Sequence, residues 1–176
     1  MIKIDPAFSW TIALSVALLF VIAVSHKLRD WSEFRQVVRN YELLPEALVS
    51  LAAGSLIALE LGAAVLILMT ATRPAGAAMS SGLFAVYAAA MAINLRRGRV
   101  NLDCGCLGAG RRQPIRWWMV ARNLALAVVA LSAVAQPTAR ALGALDAVTI
   151  GCATLTLAFL YAAQNLLQAT RLPSAR

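Results

Sequence analysis

Five apolar stretches constrain this chain of 176 residues more than any other feature of its sequence. They run near residues 8–26, 47–71, 75–95, 117–135 and 147–167. A helix of about 20 residues rises about 30 Å, which is the thickness of the hydrocarbon core of a bilayer. Since backbone N–H and C=O groups must pair with one another inside lipid, such stretches form helices. The sequence therefore predicts an all-α integral membrane protein, a bundle of about five transmembrane helices.

The composition argues against a soluble protein. Hydrophobic residues make up 61% of the chain and charged residues 14%, whereas a soluble domain is about half apolar and about a quarter charged. The net charge of +8 would raise the question of nucleic-acid binding in a soluble protein. Here, arginines at the ends of membrane helices explain that charge. We therefore expect a single membrane domain over residues 1–176 that contacts the lipid bilayer and no nucleic acid.

The first apolar stretch has a competing interpretation as a cleavable signal peptide. Only Lys3 and Asp5 are charged ahead of it, and no A-x-A-like cleavage site follows it. Signal peptides carry both a positively charged segment and such a site. We therefore expect an uncleaved transmembrane helix.

The segment between the first two stretches is amphipathic. Its aromatic and apolar residues recur at helical spacing from Trp31 to Tyr41, and polar residues fill the other face. This pattern predicts a short helix near 31–41 that lies in the membrane interface. An ordinary amphipathic connector fits the same pattern.

Arginine and lysine counts predict the orientation of the chain. With five crossings, the loops 27–46 and 96–116 share a side with the C-terminus, and this side holds twelve Arg and Lys residues against three on the other side. Cytoplasmic loops carry the excess of positive charge. We expect a multi-pass protein of the cell inner (cytoplasmic) membrane, with its N-terminus outside and loop 96–116 in the cytoplasm.

Loop 96–116 contains the residues best suited to chemistry. Cys104 and Cys106 are separated by Gly105 alone and follow Asp103. Glycine permits a tight backbone, and a disulfide across so short a loop departs from relaxed geometry, so it should be easily reduced. Five nearby arginines favour thiolate, the reactive form, while Asp103 opposes them. The loop therefore predicts a redox pair of Cys104 and Cys106, with Asp103 and Gly105 in support.

Three other interpretations of the two cysteines stay open. They could be half of a zinc or copper(I) site. However, His26 and Cys152 are the only other histidine and cysteine, no further ligand is apparent, and we predict no metal site. The pair could be acylated, as juxtamembrane cysteines sometimes are, or it could be inert. Cys152 itself is expected to be a buried packing residue in the fifth helix.

Polar residues inside the apolar stretches form a second candidate site. Glu60 lies near the middle of the second stretch, and Arg122 lies inside the fourth. Because an intramembrane charge needs a partner, one expectation is a Glu60–Arg122 pair joined by Asn123 or Asn94. The alternative is that Arg122 extends to the interface and Glu60 is protonated.

His26 and Lys27 end the first apolar stretch. Both are expected to anchor the helix at the membrane interface. A histidine beside a thiol pair would also matter for proton transfer, and His26 lies on the same predicted side as the cysteine loop. We therefore add His26 to the candidate polar network.

Several short motifs occur together along the chain. They are His26-Lys27-Leu28-Arg29-Asp30, Leu43-Leu44-Pro45, Glu60-Leu61, Asn94-Leu95, Asp103-Cys104-Gly105-Cys106 and Ala121-Arg122-Asn123. Over residues 8–130 the chain resembles the MauE family of methylamine-utilisation membrane proteins, which is related to DoxX-type redox-associated membrane proteins. The Asp-Cys-Gly-Cys loop is the specific element, and Leu107 stands where family members often have phenylalanine.

The resemblance implies accessory work for another enzyme. Proteins of this family are thought to support processing, transport or maturation of the small (beta) subunit of methylamine dehydrogenase, a periplasmic subunit rich in disulfides. A thioredoxin-like partner, MauD, is associated with the same task. Cys104 and Cys106 would be the redox pair of the family. A periplasmic client conflicts with the charge count, which places the cysteine loop inside.

Three functions follow as hypotheses. The first is thiol–disulfide exchange in the maturation of a secreted redox enzyme. The second is a non-catalytic membrane scaffold or a metal-holding subunit. The third is a quinone-linked oxidoreductase component, which borrows from the DoxX relation. A quinone enzyme needs a cofactor pocket near its thiols, and the sequence identifies none, so no cofactor is firmly predicted.

Overall fold

The computed structural model describes residues 3–104 and 113–170, and nearly all of its regular structure is α-helix. The elements in chain order are β1 (Lys3–Ile4), α1 (Pro6–Arg29), α2 (Trp31–Asn40), α3 (Glu46–Leu68), α4 (Arg73–Arg96), α5 (Trp117–Ser132), β2 (Gln136–Pro137) and α6 (Ala144–Thr170). Four helices, α1, α3, α4 and α6, are long and apolar enough to cross a membrane, and α5 is a shorter apolar helix of 16 residues. The predicted all-α membrane fold is confirmed.

Local signals explain where the helices begin. Asp5 caps α1 by accepting a hydrogen bond from the Ala7 backbone N–H at 2.8 Å, and Pro6 occupies the first turn. Proline suits that position because its ring fixes φ and the N–H it lacks would have no partner there. Pro74 plays the same part at the start of α4. These signals set the helix ends, and the apolar runs set the helix lengths.

The turn between α3 and α4 brings the two helices into close backbone contact. A Cβ atom added at Gly76 would lie 2.3 Å from the Ile67 backbone nitrogen. The Thr72 hydroxyl donates to the Leu66 carbonyl at 2.9 Å and closes the turn. Only glycine allows so near an approach, so Gly76 fixes the antiparallel packing of this pair.

The main apolar core lies between α1, α3, α4 and α5. Small residues such as Ala13, Ala63 and Ala130 are fully buried there and allow the helices to approach closely. Phe20 and Phe84 fill the centre, with their rings stacked at 5.0 Å between centroids. Small and aromatic side chains together make a tightly packed apolar core.

The two ends of the bundle are defined by different contacts. At one end, which we call the strand end, β1 pairs in parallel with β2, with Lys3 opposite Gln136 and Ile4 opposite Pro137. The turn before Arg73 lies at this end too, because Arg73 donates to the Ser9 hydroxyl at 3.0 Å. The other end, which we call the loop end, holds the end of α1, α2, the loop after α4 and the start of α5.

The path of α5 decides how many times the chain crosses the bundle. Its 16 residues rise about 24 Å. They run from the loop end at Trp117 toward β2 at the strand end, so α5 lies antiparallel to α4, against which it packs. Within the described residues, five helices (α1, α3, α4, α5 and α6) therefore run in alternating directions between the two ends of the bundle. Helix α5 is three residues shorter than the apolar stretch 117–135 suggested, because the helix ends at Ser132.

The amphipathic segment forms α2 at the place that its pattern indicated. Phe34 is buried in a cluster with Val24, Ala53 and Ile57, and Trp31 packs against the same cluster. The apolar face of α2 therefore rests on α1 and α3, and its polar face is turned outward. This contact positions Phe34 beside the polar residues described next.

Candidate functional site

A buried ion pair joins Lys27, near the loop end of α1, to Glu60, in the interior of α3. Lys27 Nζ donates to Glu60 Oε1 at 2.5 Å and to the Tyr87 hydroxyl at 3.2 Å. The Tyr87 hydroxyl donates to the same Glu60 oxygen at 2.6 Å. The ammonium group also lies 4.9 Å and 5.0 Å from the ring centroids of Phe34 and Tyr87. Residues from α1, α2, α3 and α4 thus converge on one charged centre.

This centre is enclosed in the protein. Lys27 is 6% exposed and Glu60 is 1% exposed. Burying either charge alone would cost several kcal/mol, so their mutual contact explains why both are tolerated in an apolar bundle. Glu60 Oε2 has no hydrogen-bond partner among the described residues. One acceptor of the buried carboxylate is therefore left without a protein partner.

The loop that carries Cys104 folds back on itself as a short antiparallel pair. The Cys104 N–H donates to the Gln113 carbonyl at 3.1 Å, and the Ile115 N–H donates to the Leu102 carbonyl at 2.9 Å. Asp103 supports this turn, since its Oδ1 accepts from the Gln113 N–H at 3.3 Å. The Asp103 carboxylate thus has a structural task in positioning the cysteine.

The thiol of Cys104 is tied to α6 through the side chain of Gln113. The Cys104 sulfur lies 3.8 Å from Gln113 Oε1, and Gln113 Nε2 donates to the Asn165 carbonyl at 3.2 Å. Arg122 Nη1 donates to Asn165 Oδ1 at 2.6 Å. This chain of contacts, from the loop through α6 to α5, holds Cys104 half-buried against the bundle.

Arg122 is held by aromatic rings as well as by Asn165. Its guanidinium carbon lies 4.9 Å from the ring centroids of both Trp118 and Tyr161. Such stacking stabilises a cation where water is scarce. Its Nε is buried and has no hydrogen-bond partner among the described residues.

The structure changes the predicted polar network. Glu60 pairs with Lys27, so the expected Glu60–Arg122 pair is wrong, and the physical reason is that Arg122 is satisfied on α6 instead. Lys27 is a buried ion-pair partner and is not an interfacial anchor. Cys152, expected to be buried, is exposed on the outer face of α6, because α6 buries few of its residues.

The remaining predicted residues are placed separately. Asn94 is fully buried, and its Oδ1 accepts from Arg99 at 3.4 Å. Asn123 is buried, and its amide donates to the Met119 carbonyl of its own helix at 2.9 Å. His26 borders a small cavity that Asp103 also lines. Gly105 and Cys106, like Arg111 and Arg112, lie outside the described residues.

A large cavity connects these groups. Its volume is about 880 Å³. Lys27, Glu60, Tyr87, Cys104 and Arg122 all line it, and apolar side chains of all six helices form most of the remaining wall. Ligand pockets in proteins range from about 300 to 1,000 Å³. The cavity therefore has the size and the mixed lining of a site for an amphipathic molecule, and its residues are the ones that could hold a cofactor.

Metal binding has less support in the described part of the chain. No group of three His, Cys, Asp or Glu residues stands close enough together within residues 3–104 and 113–170 to hold an ion. Cys104 is the described thiol of the pair and lies beside Gln113, an amide that transition metals rarely use.

Four contributing residues were not singled out from the sequence. These are Lys27 as the partner of Glu60, Tyr87, Gln113 and Asn165. A signal existed for Asn165, because an amide in an apolar stretch needs a partner just as a charge does. Tyr87 and Gln113 gave no such signal, since a single tyrosine or a loop glutamine is common in any chain.

Comparison with known proteins decides the family. The family model described as "Methylamine utilisation protein MauE" matches residues 5–136. The chain belongs to the MauE family. It is similar to the methylamine utilization protein MauE of Paracoccus denitrificans, with 41% identity over 73% of this chain and 69% of the relative. The corresponding protein of Methylorubrum extorquens is 38% identical over 92% of this chain and 88% of the relative.

A third relative, MauE of Paracoccus versutus, is 37% identical over 93% of this chain and 88% of its own length. The family match over residues 5–136 includes the cysteine loop, and the two relatives matched over more than nine-tenths of the chain also cover part of α6. No solved structure matches the chain. The protein is thus a multi-pass membrane protein of the MauE family, and it folds as the helical bundle described above.

Proposed function

We propose that this protein is an accessory protein of methylamine utilisation that acts by thiol–disulfide exchange at Cys104 and Cys106. Its client is a disulfide-rich secreted subunit, for which the beta subunit of methylamine dehydrogenase is the candidate that the family resemblance suggests. A thioredoxin-like protein of the MauD type is the candidate exchange partner. The protein acts in the inner membrane.

The observation that carries the proposal is the placement of Cys104. Its loop is fastened to α6 through Gln113 and Asn165, and the residue is half-buried at the edge of the large cavity. A thiol that forms and breaks disulfides must be held in place and remain accessible. A cysteine kept only for packing would not need a dedicated amide contact.

The exchange reaction requires two thiols with separate tasks. One thiolate attacks a disulfide sulfur to form a mixed disulfide, and the second thiol resolves it. Cys104 and Cys106 are one residue apart, so the second thiol is always near the first. In the sequence, Arg96, Arg97 and Arg99 precede the pair and Arg111 and Arg112 follow it, and positive charge of this kind favours the reactive thiolate.

Single and double serine substitutions test the proposal. Cys104→Ser and Cys106→Ser should each abolish maturation of the client, measured as methylamine dehydrogenase activity and as client disulfide content in cells. One of the two single variants should accumulate a mixed disulfide on a non-reducing gel, because the resolving thiol is missing. Cys152→Ser is the matched control, since this exposed cysteine lies on α6 away from the loop.

The double variant gives the decisive result. Full client activity with both Cys104 and Cys106 replaced would reject thiol exchange and leave a non-catalytic scaffold as the function. Loss of client activity in all three single variants, including Cys152→Ser, would also contradict the assignment, because it would show general loss of the folded protein. Protein levels in the membrane fraction are measured alongside to separate these cases.

The side of the membrane on which exchange takes place is tested separately. The Arg and Lys distribution favours a cytoplasmic loop, whereas direct exchange with a periplasmic client requires an outer loop. In a Cys152→Ser background, a membrane-impermeant maleimide applied to intact spheroplasts labels the loop thiols only if they face outward. Labelling only after permeabilisation would mean that the pair exchanges with a cytosolic thiol and does not meet the periplasmic client directly.

A further inference from the structure

The part of the large cavity between α5 and α6 is the strongest feature that thiol exchange with a protein client does not use. Helix α6 packs mainly against α1, and the backbones of α5 and α6 scarcely approach each other. The cavity occupies the gap between them, because Leu126 and Val129 of α5 and Leu157 and Ala158 of α6 line it. The gap therefore has an apolar wall on each of its two sides.

This gap is closed at its ends and open at its side. At the loop end, Arg122 of α5 is hydrogen-bonded to Asn165 of α6, and at the strand end the chain itself connects the two helices. Between the ends, Val129 and Leu157 are nearly half exposed although they line the cavity. Since the bundle lies in a membrane, a hydrocarbon chain can enter the gap from the bilayer without crossing water.

Arg122 is a cation without a counter-ion at the loop end of the gap. All eight Asp and Glu residues of the chain lie within the described residues, and none of them forms an ion pair with Arg122. Lys27, by contrast, is neutralised by Glu60. A charged side chain in a membrane bundle needs a partner of opposite charge, so Arg122 calls for an anion from outside the chain.

The guanidinium group of Arg122 keeps some surface that such an anion can reach. The residue is half-buried and lines the cavity. Its Nε is buried, whereas its Nη2 is not buried and has no hydrogen-bond partner among the described residues. Arg122 lies about 7.5 Å along the helix axis from the exposed Trp117, which begins α5. Since exposed tryptophans mark the head-group level of a bilayer, an anion at Arg122 lies just below that level.

The order of these features along the gap is that of a lipid molecule. The cation lies near the loop end, and the exposed apolar residue Val129 lies about 10 Å further along α5 toward the strand end. On α6, Leu157 lies about 12 Å from Asn165 in the same direction. A ligand that fits both ends has an anionic group near the interface and an apolar chain that points toward the middle of the membrane.

We propose that the gap between α5 and α6 binds an anionic phospholipid, whose phosphate pairs with Arg122 and whose acyl chain lies along Val129 and Leu157. The inference goes beyond thiol exchange and does not depend on it. Arginine binds phosphate through charge-assisted hydrogen bonds, so the lipid supplies the negative charge that the chain does not offer to Arg122. The acyl chain covers apolar surface that α5 and α6 do not bury against each other.

Native mass spectrometry of the full-length protein tests the head-group contact. The protein in detergent is titrated with dioleoylphosphatidylglycerol or with dioleoylphosphatidylcholine, and the Kd of each lipid is obtained from the bound fraction. The two lipids have the same acyl chains, but phosphatidylcholine carries an ammonium group that cancels its phosphate charge. The wild type should bind phosphatidylglycerol about fivefold more tightly or better, as expected for one basic residue at a lipid head group.

Substitutions of two arginines on the same helix locate the charge that causes this preference. Arg122→Gln should bring the two Kd values together, and Arg122→Lys should keep most of the difference because it keeps the charge. Arg116→Gln is the matched control and should keep the full difference, since Arg116 is exposed at the start of α5 and does not line the cavity.

A steric pair of variants tests the acyl-chain contact. Ala158 lines the cavity on α6, and Ala163 is exposed on the same helix and does not line it. Ala158→Phe should weaken the binding of both lipids by about tenfold or more because the ring fills the gap, and Ala163→Phe should bind like the wild type.

The outcomes are read without reference to thiol exchange. A preference for phosphatidylglycerol that Arg122→Gln loses and Arg116→Gln keeps, together with weak binding by Ala158→Phe, supports the inference. Equal Kd values for the two lipids in the wild type overturn it, and so does an equal loss in Arg116→Gln and Arg122→Gln. Unchanged binding by Ala158→Phe also overturns it, since the chain would then lie elsewhere. The Cys104→Ser, Cys106→Ser variant should bind like the wild type whether or not it abolishes client maturation.

Discussion

Charged residues are buried in the interior of the helical bundle but exposed or half-buried at its strand end. Inside the bundle, Lys27 and Glu60 are buried as an ion pair, lie beside aromatic rings, and line a large cavity. At the strand end, the exposed Arg140 bridges the exposed Asp5 and the half-buried Asp146, and both oxygens of each carboxylate are engaged. Exposed charges cost little and form contacts freely, whereas buried charges persist only where their pairing offsets desolvation.

This difference separates a part of the molecule that stabilises the fold from a part that is suited to binding a ligand. The strand end holds the N-terminal segment against the start of α6 through the Asp5–Arg140–Asp146 contacts and the β1–β2 pair. Inside the bundle, Glu60 and Arg122 line one large cavity together with Lys27 and Cys104. A cavity of this size with a few charged side chains in an apolar lining is typical of a ligand site.

We expect the largest loss of stability when the buried ion pair is disrupted. Lys27→Met leaves the Glu60 carboxylate uncompensated, which we expect to lower the free energy of unfolding by about 3–5 kcal/mol. The double variant Lys27→Met, Glu60→Leu removes both charges and should recover most of that loss. Denaturant titration in mixed micelles measures both values. An equal loss in the single and double variants would show that packing, and not charge pairing, holds this centre.

A steric test at the strand end should give the next largest effect. Gly76→Ala places a methyl group against the Ile67 backbone, so we expect a loss of about 1–3 kcal/mol in the free energy of unfolding. Gly82→Ala is the matched control on the same helix, because nothing lies within 4 Å of the added methyl group there. It should raise stability by up to about 1 kcal/mol, since alanine favours helix. The same denaturant titration would contradict the close contact if both variants behaved alike.

The smallest effect is expected at the exposed contacts of the strand end. Hydrogen bonds from Arg140, followed by the Ala7 backbone N–H, hold the pKa of Asp5 below its ordinary value of 3.8. A carboxyl whose pKa is lowered by folding stabilises the folded state above the unfolded-state pKa. This stabilisation is lost as the pH falls through the lowered pKa.

Asp5→Asn should therefore lower the Tm slightly at neutral pH and leave it unchanged relative to wild type in strong acid. The pH profile of the Tm difference between the two proteins gives the measurement. Salt should shrink the difference at neutral pH, because exposed charges are screened. A difference that stays constant down to strong acid would mean that the carboxylate charge contributes nothing and that the substitution acts on helix capping alone.

Much of the fold could be predicted because its signals are local in the chain. Hydropathy over about 20 residues identifies a membrane helix wherever it occurs, and Pro74 and Asp5 mark helix starts without reference to distant residues. The amphipathic period between Trp31 and Tyr41 likewise indicated α2. These features depend on spacing along the chain, which a sequence displays directly.

The partners of the polar residues could not be predicted in this way. Glu60 needed a cation, and both Lys27 and Arg122 were available. The choice depends on how far each helix is rotated about its axis and how deep each residue lies in the bundle. The sequence favoured Arg122 because it lies inside an apolar stretch, but the aromatic rings of Phe34 and Tyr87 make the position beside α1 suitable for Lys27.

The sequence by itself determined the membrane helices, the short spacing of Cys104 and Cys106, and the family resemblance, since all of these are properties of residues that are neighbours in the chain. The tertiary structure alone decided that Lys27 neutralises Glu60 and that Gln113 connects Cys104 to α6. It alone also decided that Cys104, Lys27 and Glu60 line the same cavity. The physical reason is that apolar burial is nearly additive along a helix. A buried polar contact requires two particular atoms to meet within about 3 Å, and only the packed bundle sets that distance.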